Sequence, residues 1–412
     1  MQDSAPSARP TVKLRPGKGR RLAGGAPWVY ADEIAMDRRT KALAPGSLAR
    51  LAEGERSLGT VAVNVESQIA ARLLDPDPEV AIDRGWFAAK LDRAARLRAT
   101  LASAGIAPYH HRLVHAEGDG LPGLVIDRFG DAVVIQPNAA WVEHRLDDLI
   151  AALDDVLDPA PATIVVNAQS RVRRLEGLDT RLDVVRGRVE GPIPVVLGGA
   201  CYMADLTGGQ KTGLFYDQVG NHRAAAGLAA GARVLDVFAH VGGFGLACLG
   251  AEAPARQVVA IDASAAALAL AEEGARRTGV EVRYETRRAD AFDAMAAAHE
   301  AGERYDLVIC DPPAFAPHKA AVEAGLRAYE KTARLAARLA APSDGRSSSF
   351  LVLCSCSGAV DLGAFHEASA RGIRAAGRSG ALIATGRAGP DHPQHMALSE
   401  TGYLKALFFR LD

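Results

Sequence analysis

Residues 233–249, RVLDVFAHVGGFGLACL, decide the fold of the C-terminal half of this chain. A short apolar run containing Asp236 leads into a turn with Gly242, Gly243 and Gly245, and the residues after it favour a helix. Strand, glycine turn and helix in this order are typical of sites for nucleotide-like cofactors, because glycine lacks Cβ and lets the backbone approach a ligand. The same turn also fits a plain tight connection, so the rest of the chain has to distinguish the two.

The composition is that of a globular protein. A chain of 412 residues with 49% hydrophobic and 24% charged residues suggests two or three domains. We find no apolar run of membrane-spanning length, and the opening residues MQDSAPSARP are typical of a frayed tail. We therefore expect a cytoplasmic protein without a membrane partner. The five cysteines form no CxxC pair, which disfavours a disulfide scaffold, and no complete zinc pattern is present, so we expect no metal.

Positive charge is concentrated at the front of the chain. The first 50 residues hold ten Lys or Arg against four Asp or Glu, an excess of +6 that leaves −7 for the remainder. Lys18, Arg20 and Arg21 belong to this excess and lie shortly before Trp28, so cations and an aromatic come close in sequence. This arrangement favours binding of an RNA backbone. A solvated charged face explains the excess equally well.

The hydrophobic periodicity and the positions of Gly, Pro and charged turns divide the chain into four parts. Residues 1–10 are expected to be a disordered tail, and residues 11–78, short apolar pieces between Gly, Pro and charged turns, predict a β-rich module. Residues 79–197 predict a helix and then a small α+β domain in the order strand, strand, helix, strand, strand. Residues 198–412 alternate strand-like and helix-like pieces, which predicts an α/β domain with a parallel, doubly wound sheet. Its predicted strands are 233–237, 258–261, 282–286, 307–310, 350–353, 381–384 and 404–410.

Acidic residues stand at or after the ends of four of these strands, and ligands of such sheets bind at the carboxyl ends of the strands. The acids are Asp236, Asp262, Asp290 and Asp311. Any one of them is more often a helix cap or a solvated residue, but four at successive strand ends point to one site. Asp262 stands where a carboxylate can bind both hydroxyls of a ribose. A dinucleotide is disfavoured because the glycines of HVGGFG do not have the GxGxxG spacing.

Distinctive loops follow the fourth and fifth predicted strands. After the fourth strand, Asp311 is followed by Pro312 and Pro313, which stiffen the chain, and by Phe315, an aromatic able to stack on a planar base. After the fifth strand comes CSCSG, with Cys354 and Cys356.

The stretches VLDVFAHVGGFG, AIDAS, DPPAF and LCSCSG resemble the class I S-adenosylmethionine-dependent RNA methyltransferases, most closely the large ribosomal subunit rRNA cytosine-C5 methyltransferase I family. The resemblance covers nearly the whole chain, through PWVYADEI, NVESQIAARLL, EGDGLPGLVIDRFGD, GGQKTGLFYDQ and DHPQHMALSETGYLKALFFR. It implies an N-terminal PUA module, a central α+β domain of the EEHEE type and a C-terminal Rossmann-like methyltransferase domain. It also implies S-adenosyl-L-methionine as cofactor, 23S rRNA as partner and 5-methylcytosine as product.

The resemblance further implies the residues of each site. The cofactor pocket would comprise Asp236, Phe238, Gly242, Gly243, Asp262, Asp290 and Asp311, walled in by Lys211, Thr212, Phe215 and Gln218. Asp262 would take the ribose, Asp290 the adenine amino group and the glycine turn the methionine end. The substrate would contact Pro312, Pro313 and Phe315 in the DPPAF loop and Lys18, Arg20 and Arg21 in the front module.

Methylation of carbon 5 of a pyrimidine needs a thiolate that first adds to carbon 6. By the resemblance this nucleophile is Cys356, although strand alternation puts Cys354 on the same face and leaves both open. Asp311 is the second catalytic candidate, as a hydrogen-bonding partner of ring N3 or of the exocyclic amine. The proton-abstracting base is unassigned. Two alternatives stay open: an N6-adenine or N2-guanine methyltransferase that needs no nucleophile, and a non-catalytic RNA-binding or assembly factor. A homodimer is one option for the oligomeric state.

Overall fold

The computed structural model describes residues 9–208, 213–342 and 348–412, and these form two compact units. The first unit comprises the residues up to Val189 together with Asp391–Ser399, and the second comprises Glu190–Pro390 and Glu400–Asp412. Of the tail expected at the N-terminus, residues 1–8 lie outside the described part. Among the helices of the described ranges, none combines the length and apolar character needed to span a membrane.

The first unit opens with a five-stranded sheet, which agrees with the β-rich module predicted for residues 11–78. Its strands and short helices are β1 (Thr11–Lys13), α1 (Arg20–Ala23), β2 (Trp28–Tyr30), α2 (Arg38–Lys41), β3 (Ser47–Glu53), β4 (Arg56–Val63) and β5 (Ile69–Asp75). The strand order is β1-β3-β4-β5-β2, with β1 parallel to β3 and the other pairs antiparallel. Alternate residues of a strand lie in its core, for example Ala49 and Leu51 of β3 and Val61 and Val63 of β4, as the period of two in a strand requires.

The second part of this unit is an α+β domain with one strand more than the sequence pattern predicts. Its elements are α3 (Arg84–Thr100), β6 (His110–His115), β7 (Leu124–Phe129), β8 (Ala132–Pro137), α4 (Ala140–Glu143), α5 (Leu146–Val156), β9 (Thr163–Ala168) and β10 (Arg181–Arg186). The sheet order is β10-β9-β8-β7-β6, parallel only between β8 and β9. A 3₁₀ turn at Ala116–Asp119 and the left-handed Gly120 break the first predicted apolar run into β6 and β7.

Polar contacts join these two parts, which the sequence analysis treated as separate domains. Glu176 is buried, forms an ion pair with Arg72 at 2.8 Å and accepts a hydrogen bond from Asn64 at 3.2 Å. Trp28 donates to Glu117 at 2.9 Å through its indole N–H. Because such buried partners satisfy each other only when both parts are in place, the two parts form one compact unit.

The second unit carries the predicted doubly wound sheet. Its elements are β11 (Ile193–Leu197), β12 (Ala200–Ala204), α6 (Val219–Ala226), β13 (Arg233–Val237), α7 (Gly243–Gly250), β14 (Gln257–Asp262), α8 (Ala265–Thr278), β15 (Tyr284–Arg288), α9 (Ala291–Glu300), β16 (Leu307–Cys310), α10 (Val322–Leu339), β17 (Ser349–Ser355), α11 (Leu362–Ala375), β18 (Gly380–Gly386) and β19 (Lys405–Leu411). The large sheet has the order β15-β14-β13-β16-β17-β19-β18, and all seven predicted strands are present. Its first five strands are parallel, while β19 runs antiparallel to both β17 and β18.

Two details differ from the prediction. The predicted boundary after residue 197 falls between the two strands of a hairpin, β11 and β12. Both strands belong to the second unit. In that unit, the Cys201 N–H of β12 donates a hydrogen bond to the Thr278 hydroxyl of α8 at 2.9 Å. The third strand of the large sheet starts two residues late, because a 3₁₀ turn at Glu281–Arg283 precedes it and leaves Val282 90% exposed.

The order of the strands determines where the site lies. β13 stands between β14 and β16, and all three are parallel, so their carboxyl ends meet at one edge. Asp236, Asp262 and Asp311 follow or end these three strands.

Candidate active site

The turn after β13 has an unusual backbone. Three alternate residues have positive φ: Phe238 at 64°, His240 at 50° and Gly242 at 83°. For Phe and His this conformation costs on the order of 1–3 kcal/mol each, and it persists only where the surroundings impose it. One such contact is the hydrogen bond from His240 N–H to the Asp262 carboxylate, at 2.8 Å. Strained backbone of this kind clusters at ligand sites.

Asp236 lies beneath this turn. It is 1% exposed, and its Oδ2 accepts a hydrogen bond from Gly245 N–H at 2.8 Å. Burial raises the pKa of this carboxyl to about 7; the hydrogen bond from Gly245 lowers it, and the charges of Asp311 and Asp262 raise it further. Asp262 and Asp311 are therefore close enough for their charges to affect the ionisation of Asp236.

At the glycine turn, the buried Asp236 Oδ1 and the buried hydroxyl of Tyr284 have no hydrogen-bond partner among the described residues. Both side chains approach within 3.1 Å of the position that a Cβ on Gly245 would occupy. A Cβ on Gly242 would come within 2.7 Å of the Tyr284 hydroxyl. Since buried polar groups in proteins are normally hydrogen-bonded, these two atoms are suited to a bound polar group or water.

The other two acids have different surroundings. Asp262 is half-buried and accepts hydrogen bonds from His240 and Ser264 N–H groups, both at 2.8 Å. Each of its oxygens keeps a lone pair for a further donor. Asp290 is exposed and caps α9, accepting from the Phe292 and Asp293 N–H groups at 2.9 and 3.2 Å. Asp290 therefore has the helix-cap role that is common for an acid after a strand.

The segment before β13 supplies buried side chains to the same region. Phe215 places its ring 4.9 Å from that of His240, and Gln218 is 3% exposed and accepts from Asn221 at 2.6 Å. Gln218 is thus a buried residue and not an exposed one. A Cβ on Gly243 would lie 2.8 Å from the ring of His222, whose pKa burial lowers to about 4. Lys211 and Thr212, the other two predicted wall residues, lie outside the described residues.

The loop after β16 is packed against aromatic rings. Phe315 is half-buried, with its ring 6.2 Å from Phe292, 6.5 Å from Phe238 and 5.0 Å from Tyr329. Pro312 is buried and Pro313 is exposed. Phe315 is therefore engaged in packing, and base stacking by its ring stays a prediction.

The cysteines are distinguished by burial. Cys201, Cys248, Cys310 and Cys354 are buried, and Cys356 is partly exposed just beyond the end of β17. Burial raises the pKa of the Cys310 and Cys354 thiols well above the usual range, although a hydrogen bond with Gln218 lowers that of Cys354. The two cysteines that the sequence left open thus differ in accessibility.

The loop that carries Cys356 is tied to the loop that carries Asp311. Ser357 Oγ accepts a hydrogen bond from Ala316 N–H at 3.0 Å and bonds to the Tyr329 hydroxyl at 2.8 Å. Ser355 Oγ donates to the same hydroxyl at 2.9 Å. These buried bonds hold the DPPAF and CSCSG loops side by side, as the strand-end argument expected.

The three predicted RNA-binding cations lie on the exposed surface of the front module. Lys18 pairs with Asp32 at 3.6 Å, and Arg21 pairs with Glu33 at 3.8 Å and stacks over the Tyr30 ring at 4.5 Å. Arg20 has no carboxylate partner in the described part of the chain. Within the described residues, Arg20 is therefore the one of the three without an ion pair.

Sequence reasoning did not single out several residues that shape this region. They are Tyr284, His222, Tyr329, Ser357 and Lys405. Tyr284 and His222 pack where a Cβ on a glycine would stand, so the glycines were an indirect signal that bulky neighbours lie close. No local pattern points to Lys405 or Tyr329, because their partners are far away in sequence.

Comparisons with known proteins agree with this architecture. The family model for S-adenosylmethionine-dependent methyltransferases matches residues 150–378, and a PUA-like domain model matches residues 12–76. Among solved structures, SMU.776, described as a methyltransferase and solved in complex with SAH, has a TM-score of 0.80 at 18% identity over 97% of this chain and 100% of its own. A SAM-dependent methyltransferase from Streptococcus mutans has a TM-score of 0.78 at 17% identity over the same shares. These two likenesses concern the fold. The protein is a SAM-dependent methyltransferase with an N-terminal PUA-like domain.

The curated relatives narrow the class. A ribosomal RNA large subunit methyltransferase from Deinococcus radiodurans is 35% identical over 99% of this chain and 100% of its own. Ribosomal RNA large subunit methyltransferase I from Aeromonas hydrophila is 35% identical over 84% and 85%, and that from Shewanella denitrificans 32% over 97% and 99%. The chain belongs to the ribosomal RNA large subunit methyltransferase I family.

S-adenosyl-L-methionine is accordingly the cofactor, and the residues at the strand ends fit it. Asp262 keeps lone pairs for the hydroxyls of a ribose. The partnerless Asp236 Oδ1 and Tyr284 hydroxyl lie at the glycine turn, where a polar ligand would satisfy them.

Proposed function

We propose that this methyltransferase forms 5-methylcytosine in 23S rRNA, through a covalent bond between Cys356 and carbon 6 of the target base. The relatives are named for methylation of large-subunit ribosomal RNA, which supports the substrate class. The observation that carries the choice of reaction is Cys356 itself: a partly exposed thiol, beside a loop of acid and prolines, among cysteines that are otherwise buried.

In this proposal each acidic residue recognises a different part of the cofactor. Asp262 binds the ribose hydroxyls, and the glycine turn leaves room for the methionine end close to the backbone. Asp290 keeps one carboxylate oxygen for the adenine amino group, since its Oδ1 is used by the cap of α9. Phe215 and Gln218 line the pocket, and the assignment of Lys211 and Thr212 to its wall rests on the sequence resemblance alone.

Side chains of the protein activate the target cytosine for methylation. The Cys356 thiolate attacks carbon 6, so that the S–C6 bond forms and an electron pair moves to carbon 5. Asp311 hydrogen-bonds to N3 or to the exocyclic amine as charge develops in the ring. S-adenosyl-L-methionine, when bound, would supply the methyl group: carbon 5 would take it up as the methyl–sulfur bond of the sulfonium breaks, with the electron pair left on the neutral thioether. A base then removes the carbon-5 proton, the electron pair returns to form the C5–C6 double bond, and the S–C6 bond breaks to release the thiolate.

Substitution of the nucleophile tests the reaction. We expect Cys356→Ala to abolish methylation of unmodified 23S rRNA in vitro while the Kd for S-adenosyl-L-methionine, from isothermal titration, stays within about threefold of the wild type. Cys354→Ala is the matched control and should keep most of the activity, because that thiol is buried. Mass mapping of the methylated RNA identifies the product.

Other outcomes point to the competing functions. Full activity of Cys356→Ala, with the methyl group on an adenine N6 or guanine N2, would replace the cytosine-C5 reaction by one that needs no thiolate. No heat of cofactor binding and no methylation by the wild type would indicate an RNA-binding or assembly factor.

A further inference from the structure

Lys405 places a buried ammonium group directly under the turn that follows Cys356. The residue is 7% exposed, and its Nζ donates to the carbonyl oxygens of Ser357 at 2.8 Å and Val360 at 2.5 Å. The register of the sheet explains this position, because β19 runs antiparallel to β17 and pairs Lys405 with Ser355. Cys356 is therefore flanked by two residues that contact Lys405 or pair with it.

The charge of Lys405 has no carboxylate within ion-pair distance in the part of the chain that the structure describes. Burial lowers the pKa of Lys405, whereas the negative charges of an ionised Cys356 and of Asp361 raise it. Two carbonyl dipoles compensate a buried cation only partly, and buried charges are normally paired. A thiolate at Cys356 is the counter-charge that the geometry offers.

Of the other described groups whose pKa an ionised Cys356 or Asp311 affects, and of Asp361, none is a cation. An ionised Cys356 raises the pKa of Tyr329 on α10 and, among smaller effects, that of Cys354 on β17. Asp311, on the neighbouring loop, also acts on Cys354. Asp361 caps α11 and is itself negative. Among these groups Lys405 alone can stabilise a negative sulfur.

We propose that Lys405 is the positioning residue of the nucleophile, which holds the turn between Ser357 and Val360 and supplies the positive charge that stabilises the Cys356 thiolate. The proposal rests on the proposed function in so far as Cys356 is the nucleophile. It adds a residue some 50 positions away from Cys356 in sequence, on the last strand of the sheet. In the reaction, the same charge favours the thiolate both before attack and after its release.

The reactivity of the thiol tests this directly. We compare the wild type with Lys405→Met, which removes charge and donors, and with Lys405→Arg, which keeps the charge. The rate of alkylation of Cys356 by iodoacetamide is followed from pH 6 to pH 10 in a Cys354→Ala background, by mass spectrometry of the peptide. We expect Lys405→Met to move the midpoint upward by about one pH unit and to slow alkylation at pH 7.5 about tenfold. Lys405→Arg should stay close to the wild type. In methylation assays, Lys405→Met should lower kcat with little change in KM for rRNA.

A second measurement does not depend on the folding of Lys405→Met. If the charge of Lys405 stabilises the thiolate, ionisation of Cys356 is easier in the folded than in the unfolded chain, so the wild type gains stability as the pH rises. The Tm of the wild type minus that of Cys356→Ser should therefore increase between pH 7 and pH 9.5. A flat difference, or an unchanged alkylation midpoint in folded Lys405→Met, overturns the role of Lys405.

The two proposals fail in different ways. If Cys356→Ala still methylates RNA but Lys405→Met shifts the alkylation midpoint, Lys405 pairs with Cys356 and the cytosine-C5 reaction is refuted. If Cys356→Ala is inactive and the midpoint does not move, the nucleophile stands and Lys405 has only a structural role.

Discussion

The Oδ2 oxygen of Asp236 accepts a hydrogen bond from the backbone N–H of Gly245 at 2.8 Å, which joins the end of β13 to the first turn of α7. The bond provides an acceptor for one of the N–H groups that a helix leaves without a partner at its start. Its other oxygen is buried at the glycine turn without a partner in the described residues. This one side chain therefore links the stability of the fold to the proposed cofactor site.

The raised pKa of Asp236 predicts a specific pH dependence of stability. The folded value of about 7 lies above the ordinary 3.8, so the folded chain holds this proton more tightly than the unfolded chain. The stabilisation is full below about pH 4 and is lost as the pH rises through 7. At about 1.4 kcal/mol per pKa unit, the effect on the free energy of unfolding is of the order of 4 kcal/mol.

Asp236→Asn lacks this titration, so the Tm of the wild type minus that of the variant should fall from pH 5 to pH 8. A constant difference would contradict a buried, proton-binding Asp236. Asp293→Asn, at an exposed position of α9, is the control.

The glycine turn should not tolerate a side chain at Gly242. Gly242→Ala faces both a φ of 83° and the Tyr284 hydroxyl at 2.7 Å from the new Cβ. Gly279→Ala is the matched control, because its φ of 76° imposes the same strain and its Cβ meets nothing within 4 Å. We expect the control to cost about 1–2 kcal/mol, and Gly242→Ala to lower both Tm and affinity for S-adenosyl-L-methionine clearly more. Adding Tyr284→Phe should restore part of the loss. Equal effects of the two alanines would show that the contact with Tyr284 is irrelevant.

Asp262 is predicted to act twice, by holding the turn and by binding the cofactor. Asp262→Asn can accept only one of the hydrogen bonds from His240 and Ser264, since its amide nitrogen is a donor. Loss of one buried bond and of the acceptor for a ribose hydroxyl should weaken S-adenosyl-L-methionine binding about 5- to 150-fold, from 1–3 kcal/mol. Isothermal titration measures this. Unchanged affinity would remove Asp262 from the site.

Charge reversal in the front module tests its contact with RNA. Arg20→Glu combined with Arg21→Glu should weaken rRNA binding and reduce the slope of log K against log salt, leaving cofactor affinity unchanged. Arg20→Glu alone should account for most of the effect, because Arg21 already pairs with Glu33. Arg96→Glu, at an exposed position of α3, is the control for net charge. The same RNA affinity and salt slope in all variants would leave the basic excess as a solvated face.

Glu176 should be essential for the stability of the first unit. Glu176→Ala leaves Arg72, whose side chain is only 12% exposed, without its ion-pair partner and the buried Asn64 without its acceptor. Removing one partner of a buried pair costs about 3–5 kcal/mol, which should lower Tm strongly. Arg84→Ala breaks the exposed pair with Asp155 and should change Tm little. Similar Tm values for both variants would show that the contact between the two parts contributes nothing.

The structure differs from the sequence-based segmentation at two places, for one local and one tertiary reason. The run of apolar residues before Phe129 reads as one strand, but the 3₁₀ turn at Ala116–Asp119 divides it into β6 and β7. The hairpin of β11 and β12 has the same period as the strands of the preceding domain, and its contacts with α7 and α8 assign it to the second unit. Periodicity identifies a strand but does not say which sheet it joins.

The sequence by itself determined the strands of the large sheet, the glycine turn and the convergence of Asp236, Asp262 and Asp311. These follow from the hydrophobic period and from a rule of topology: the carboxyl ends of adjacent parallel strands meet at one edge. Tertiary structure alone decided that Cys354 is buried and Cys356 partly exposed, that Phe315 is packed among rings, and that Lys405 lies under the turn that follows Cys356. Burial and charge proximity arise from contacts between residues far apart in the chain, and no local pattern encodes them.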